Sequence, residues 1–356
     1  MNNTARTCVI KAVFGNLHLS LGTVSQSKEH ELCLKQTVHF VEVGGSIPES
    51  SRILPIECIH HFCEVLSVTT RDHFKASVIV CPEQRDLKSR QSACFLLGAY
   101  LIVRQSLNVT ELTSLFSEVD KDNVTLSTRF MINGWAALHR ARELCWLAPV
   151  VDKDEDSAFD IERSMHYAEE ANGNIHTLVP GKLFLFPTPA RLPTGQSWAD
   201  ASEPRGQTAR RFSAPYLAEL LADLDVSVVA CLGQTSSASA DAFLERGLDV
   251  HDLLLDPRRP SLLRAMDRVL SLARAAPGAV AVFCGGAGGA DWPAHVGTLA
   301  AAYLVSDFGF AAAAAAAWLR MLCPALPADA AGAADAAAGD AADGPAEEGP
   351  SAGRAR

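Results

Sequence analysis

The sequence lacks several of the features that would assign a class at once. There is no CxxC pair among its ten cysteines and no regular spacing between them, which argues against a disulfide framework or a zinc ribbon and for reduced thiols. There is no Lys/Arg cluster, and the formal net charge is −10. A surface that neutralises nucleic-acid phosphates is therefore excluded. No apolar run reaches the length of a membrane span, because the alanine run at 311–317 is bounded by Asp307 and Arg320. The first twenty residues, MNNTARTCVIKAVFGNLHLS, hold no signal-peptide core. A soluble, intracellular protein is expected.

What is present is enough chain for two domains. At 356 residues, two bodies with a core each are expected. Strand-like runs at Cys8–Phe14, Thr37–Val43, Ser77–Cys81, Val226–Cys231 and Val250–Leu255 alternate with helical patterns at Ser89–Gln105, Phe130–Trp146, Ala214–Asp223 and Ser261–Ala275. Such alternation predicts an α/β layer structure, a central sheet flanked by helices. Between Asp152 and Glu170 the composition turns acidic, as in a solvated linker helix. The expected divisions are thus residues 1–150, an acidic linker helix at 151–173, a second domain at 174–325 and a tail at 326–356. That tail is almost wholly Ala, Gly, Asp and Pro, which predicts disorder.

The stretch Pro277–Val305, PGAVAVFCGGAGGADWPAHVGTLAAAYLV, organises the second half. Gly278–Phe283 reads as a strand buried on both faces, and Val296–Val305 as a helix. Cys284 would stand at the strand end facing a helix N-terminus, where backbone N–H groups and the helix dipole favour an anion and a thiolate. Gly285, Gly286, Gly288 and Gly289, with Ala287 among them, would let the backbone approach a phosphate. A buried cysteine in a glycine turn fits the same residues. The first half carries an echo: SVIVCPEQRDLKSRQSACFLLGAYLIV also runs strand, Cys, loop, helix, with Cys81 and Tyr100 spaced as Cys284 and Tyr303 are. Two similar α/β halves would explain it.

The segments LVPGKLFLF (178–186), DVSVVACL (225–232), GLDVHDLLLD (247–256), PGAVAVFC (277–284) and AWLRMLCP (317–324) occur in an order and spacing that resemble the dual-specificity protein phosphatases of the cell-division-cycle-fourteen type, which act in mitotic exit. RQSACFLLGAYLIV (90–103) resembles that family's inert N-terminal domain, and FDIERSMHYAEEANGNIHTLVPGK (159–182) its linker. The resemblance implies two tandem dual-specificity-phosphatase-like domains, with catalysis in the second. It implies a thiolate that attacks phosphorus and forms a phosphocysteine, an arginine six residues on that forks onto two phosphate oxygens, and an aspartate that protonates the leaving oxygen. Cys284 matches the nucleophile and Asp256 the general acid. No metal or organic cofactor is implied. The implied substrates are phosphoproteins, among them Ser-Pro sites of cyclin-dependent kinases, with Glu169 and Glu170 placed to receive a basic residue after the phosphosite. The implied location is cytoplasm or nucleus, including centrosome, spindle or cilium.

Departures from the family pattern bear on activity. Ala290 stands six residues after Cys284, and Phe283 replaces the histidine that precedes the family's cysteine. If the loop carries an insertion, HVGTL (295–299) aligns with the motif and His295 takes the arginine's place, without the guanidinium fork. Arg258 and Arg259, near Asp256, are alternative cations across the loop. Asp291 would repel a phosphate dianion. The family's water-positioning glutamine is replaced by the alanine-rich stretch from Ala325, and its Arg-Pro by Cys323-Pro324. An impaired phosphatase or a pseudophosphatase scaffold is the expectation. A nucleotide site fits less well: Gly286 and Gly288 give G-x-G, but Asp291 takes the third glycine's place and no P-loop lysine precedes Thr298. Cys58, His60, His61 and Cys63 suggest a metal cluster, although a helical pattern separates them. His251 and Asp252 resemble an acid–base pair, yet adjacent strand residues face opposite ways.

Overall fold

The computed structural model describes residues 10–21, 38–43, 53–84, 86–119, 129–147, 159–202, 208–253, 259–283, 292–324 and 326. Within them the chain is mixed α/β, with sheets flanked by helices. The first four strands are β1 (Ile10–Phe14), β2 (Leu17–Ser20), β3 (Val38–Val43) and β4 (Ser77–Pro82), in the order β1-β2-β4-β3. β4 is parallel to both of its neighbours. A larger sheet has the order β10-β9-β11-β6-β5, from β5 (His176–Val179), β6 (Leu183–Leu185), β9 (Val226–Leu232), β10 (Asp249–Leu253) and β11 (Ala279–Phe283). All but β5 run parallel. A separate hairpin pairs β7 (Trp198–Ser202) with β8 (Thr208–Phe212).

Continuous apolar runs give the central strands. SVIVCP in β4 and AVAVF in β11 are buried almost throughout, as strands covered on both faces must be. Each is followed by a helix: α2 (Leu87–Gln105) after β4, α9 (Trp292–Phe308) after β11. The internal echo therefore has a topological counterpart, since each strand lies between two parallel neighbours. Asp86 caps α2, its carboxylate accepting from the Ser89 amide at 2.8 Å.

The other helices are α1 (Ile56–Asp72), α3 (Val109–Val119), α4 (Arg129–Glu143), α5 (Ile161–Ala168), α6 (Ala214–Asp223), α7 (Ser237–Glu245), α8 (Arg259–Ala275) and α10 (Ala312–Leu322). α5 falls within the stretch expected to form a linker helix, while 151–158 and the expected tail from 327 onward lie outside the described residues. α2 is buried on every side from Ser92 to Val103, a pattern that places a helix inside rather than at a surface. It meets α4 closely: a Cβ on Gly98 would stand 2.5 Å from the Trp135 ring, and one on Gly134 2.6 Å from Ile53.

One buried cluster joins both sheets. It takes in Val78 and Val80 of β4, Phe95 and Leu97 of α2, Trp135 of α4, Trp318 of α10, and Val280 and Val282 of β11. Among the described residues this cluster reaches from one sheet to the other. Aromatic stacking reinforces the junction: Trp146 packs on Phe308, Phe310 and Trp318. The alanines of α10, fully or nearly buried from Ala314 to Ala317, lie where bulkier residues would hold the helices apart. A second cluster covers the opposite face of the larger sheet with Leu217 and Leu221 of α6 and Phe243 of α7.

Buried polar groups in this frame carry a pH signature. His176 of β5 accepts or donates to Asn174 at 2.9 Å through Nε2, its Nδ1 is buried without a hydrogen-bond partner, and burial pushes its pKa from 6.5 down to about 4. Between those two values the unfolded chain binds a proton that the folded chain does not. Stability is therefore full above pH 6.5 and falls as the pH drops towards 4, by at most about 3 kcal/mol. Urea denaturation of wild type beside His176→Gln across that window isolates the effect, because the carboxylates common to both cancel. The variant should lose less stability on acidification.

Candidate functional site

Four parallel strands end on one edge. Leu185 of β6, Leu232 of β9, Leu253 of β10 and Phe283 of β11 are their last residues, and parallel α/β sheets take ligands beyond such carboxyl ends. Cys284 follows β11 directly. Asp256 lies three residues past β10. β9 pairs with both strands, so the ends from which the two segments leave stand about 10 Å apart, two strand spacings.

The loop itself, Cys284, Gly285, Gly286, Ala287, Gly288, Gly289, Ala290 and Asp291, lies outside the described residues, as do Asp256 and Arg258. His295 falls in the first turn of α9 and Arg259 at the start of α8, with only their backbones described. The structure thus brings the flanking strand ends together and leaves the contacts of these side chains open.

The walls of the edge are described. Phe283 is 2% exposed, and its ring packs on Phe186 at 5.0 Å and on Phe243 at 6.3 Å between centroids. The position where the family holds a histidine is therefore anchored in apolar packing. The ladder continues past the strand ends, with the Phe186 amide donating to the Val282 carbonyl and the Gly233 amide to Leu253. Asp252, the exposed member of the His251–Asp252 pair, accepts from both the amide (3.0 Å) and the hydroxyl (2.6 Å) of Thr235. It ties the end of β10 to the loop after β9, which is a structural role.

Among the described residues no three His, Cys, Asp or Glu side chains gather as metal ligands. Of the candidate cluster on α1, Cys58 and His61 are exposed and His60 half-buried. Cys63 is buried, and that burial pushes its thiol up to about 12. Such a thiol is a core side chain and an unreactive one. Glu169 closes a turn, its carboxylate accepting from Asn172 at 2.8 Å.

No family model matches the chain. Over 250 residues it is 22% identical to dual specificity protein phosphatase CDC14C of Homo sapiens, an alignment covering 68% of this chain and 51% of that protein. The homology to that dual specificity phosphatase is weak. The chain spans about half the length of the curated relative it matches. Two solved structures are also similar. Tk-PTP in its active form is 18% identical with a TM-score of 0.30, over 46% of this chain and 94% of that one. TpbA of P. aeruginosa in complex with pTyr is 17% identical with a TM-score of 0.27, over 43% of this chain and all of that one.

The Asp252 latch has a measurable consequence. Asp252→Ala leaves the Thr235 amide and hydroxyl to water, and should cost about 1 kcal/mol at so exposed a site. Amide hydrogen exchange at Thr235 should quicken while the β11 amides stay protected. Uniform quickening across the sheet would instead mean that the latch holds the whole edge.

The hairpin β7–β8 was not anticipated from the sequence, where Trp198 and Arg210 lie in a stretch without a motif.

Proposed function

We propose that the chain is a cysteine-dependent protein phosphatase of the dual-specificity, cell-division-cycle-fourteen type, acting on phosphoproteins through a phosphocysteine. In this reading residues 1–150 form an inert phosphatase-like domain, 151–173 a linker helix, 174–325 the catalytic domain and 326–356 a tail. Cys284 attacks phosphorus, Asp256 protonates the leaving oxygen, and Asp256 as carboxylate then activates water. The backbone amides of Gly285, Gly286, Ala287, Gly288 and Gly289 cradle the equatorial oxygens, and His295 stands in for the arginine. Every group the reaction uses is a side chain or amide of this chain.

The observation that supports the proposal is the common edge: β10 and β11 flank β9 and, both parallel to it, end at the same edge of the sheet, from which the segments bearing Asp256 and Cys284 leave. Ala290, six residues after Cys284, is what sets the rate low. An arginine clamp on a transferring phosphoryl group supplies about 10³–10⁵ in rate, and a neutral imidazole lacks the bidentate fork. Ala290 and Asp291 equally favour a second reading, a phosphoprotein-binding scaffold without turnover. Purified chain assayed on a phosphoserine-proline peptide decides between them. Turnover by wild type that Cys284→Ser abolishes supports the enzyme. If both proteins are silent but bind the peptide, the scaffold stands. If neither binds, both readings fall.

A further inference from the structure

The chain holds a single Ser-Pro or Thr-Pro dipeptide, Thr188-Pro189, and Arg191 stands at the third position after the threonine. Phosphoacceptor, proline and then a basic residue is the pattern of the substrates that the family reading implies. Here that pattern lies on the chain's own sheet edge. β6 and β11 are parallel, with Leu185 beside Val282, and the ladder runs one step further, the Phe186 amide donating to the Val282 carbonyl at 3.1 Å. Phe186 and Phe283 thus leave the sheet side by side, their rings 5.0 Å apart between centroids. Cys284 is the next residue after Phe283, and Thr188 is the second after Phe186.

The segment that carries Thr188 is held open. Phe186 is fixed to β11 at one end, and at the other the Ala190 amide donates to the Phe212 carbonyl at 2.8 Å, so the threonine stands midway between two anchors. Thr188 and Arg191 are exposed, and residues 186–189 belong to no helix or strand. Pro187 and Pro189 fix their own φ and keep the residues before them, Phe186 and Thr188, out of the helical region. An exposed, extended connection of this kind is open to a modifying enzyme, and the two anchors keep whatever is added to Thr188 at the rim of the edge. A phosphate there carries about −1.5 to −2 charges at pH 7. Neighbouring strands lie about 5 Å apart, inside the roughly 10 Å over which charges still act on one another in 0.1 M salt. A site that must admit a phosphate dianion would then meet a like charge at its mouth.

We infer that Thr188 is a phosphorylation site for a proline-directed protein kinase, and that its phosphate holds phosphoproteins off the edge from which Cys284 leaves. In the modifying step the γ-phosphorus of ATP bonds to the Thr188 hydroxyl oxygen as its bond to the β–γ bridging oxygen breaks; ADP departs and the hydroxyl proton passes to a base of the kinase. The inference rests on the phosphoprotein reading of the edge, and it concerns binding, so it holds for an enzyme and for a scaffold alike.

The test uses the full chain as Cys284→Ser, so that the chain cannot remove its own phosphate. It is incubated with ATP and a cyclin-dependent kinase, and binding of a labelled phosphoserine-proline peptide is followed by fluorescence anisotropy. Mass spectrometry should find one phosphate on the fragment that holds Thr188, and none there when Thr188→Ala is added. The modified chain should bind the peptide about tenfold more weakly than the unmodified one at about 50 mM salt, with the gap narrowing to about twofold at about 0.5 M, as repulsion between charges requires. Kinase treatment of the chain carrying Thr188→Ala should leave its affinity for the peptide unchanged. No phosphate on Thr188, a phosphate that leaves peptide affinity unchanged, or a loss equal at both salt concentrations overturns the inference and leaves the phosphoprotein reading intact. Failure of the unmodified chain to bind the peptide overturns that reading instead, and the mass of the fragment still decides whether Thr188 is a kinase site.

Discussion

Trp135→Ala is expected to destabilise the protein by about 3–5 kcal/mol, the range for deleting a fully buried large aromatic. The side chain is 0% exposed and stacks with Phe116 at 5.3 Å and Phe95 at 6.4 Å between centroids. Its Nε1 donates to the Phe95 carbonyl at 3.1 Å. Collapse around the cavity is hindered because Gly98 already sits against the ring at the limit of approach, so α2 and α4 have no side chain there to fill the gap. Trp135→Phe should cost less, losing the hydrogen bond and part of the volume. Urea denaturation measures both through the midpoint at unchanged slope. Since one buried cluster spans both sheets, the transition should stay single in every variant; a second transition in Trp135→Ala would mean that the sheets hold separate cores after all.

Local elements were largely readable, and the reasons differ from element to element. α6 runs Ala214–Asp223 as its pattern predicts, because Pro215 is placed in the first turn and the apolar spacing is helical throughout. α9 begins at Trp292 rather than Val296, since Pro293 suits a first turn and does not delay the helix. The hairpin β7–β8 escaped notice: its strands, WADAS and TARRF, are short, without apolar alternation, and hold Thr208 as their single β-branched residue. The shared core was foreshadowed only by α2, whose apolar residues surround the helix instead of forming a stripe. Which partners those sides meet is a tertiary fact that no local pattern states. Cys284 and Asp256 were legible through resemblance. Both lie outside the described residues; that β10 and β11 end at one edge follows from strand order, which alternating strands and helices leave undetermined among several arrangements.

If Asp256 is the general acid, Asp256→Asn must act selectively on the leaving group. The serine oxygen of a phosphopeptide departs as a strongly basic alkoxide unless it is protonated in the transition state, and loss of a positioned acid slows such a step by about 10²–10⁴. An aryl phosphate with an acidic phenol needs no proton to leave, so the same substitution should spare it. Cys284→Ser removes the nucleophile common to both substrates, and both rates should fall to the level of the buffer. Measuring kcat/KM for each substrate with each variant therefore gives a pattern rather than a single loss. Equal losses on the two substrates for Asp256→Asn would mean that the residue supports the loop and that another group gives the proton. The absent arginine enters as a ceiling on the wild-type rate: it lowers every value by a common factor and leaves the selectivity untouched, because a phosphate clamp serves the transferring group and not the leaving oxygen. A weak enzyme would thus still show the leaving-group pattern, and a scaffold would show no difference between wild type and Cys284→Ser on either substrate.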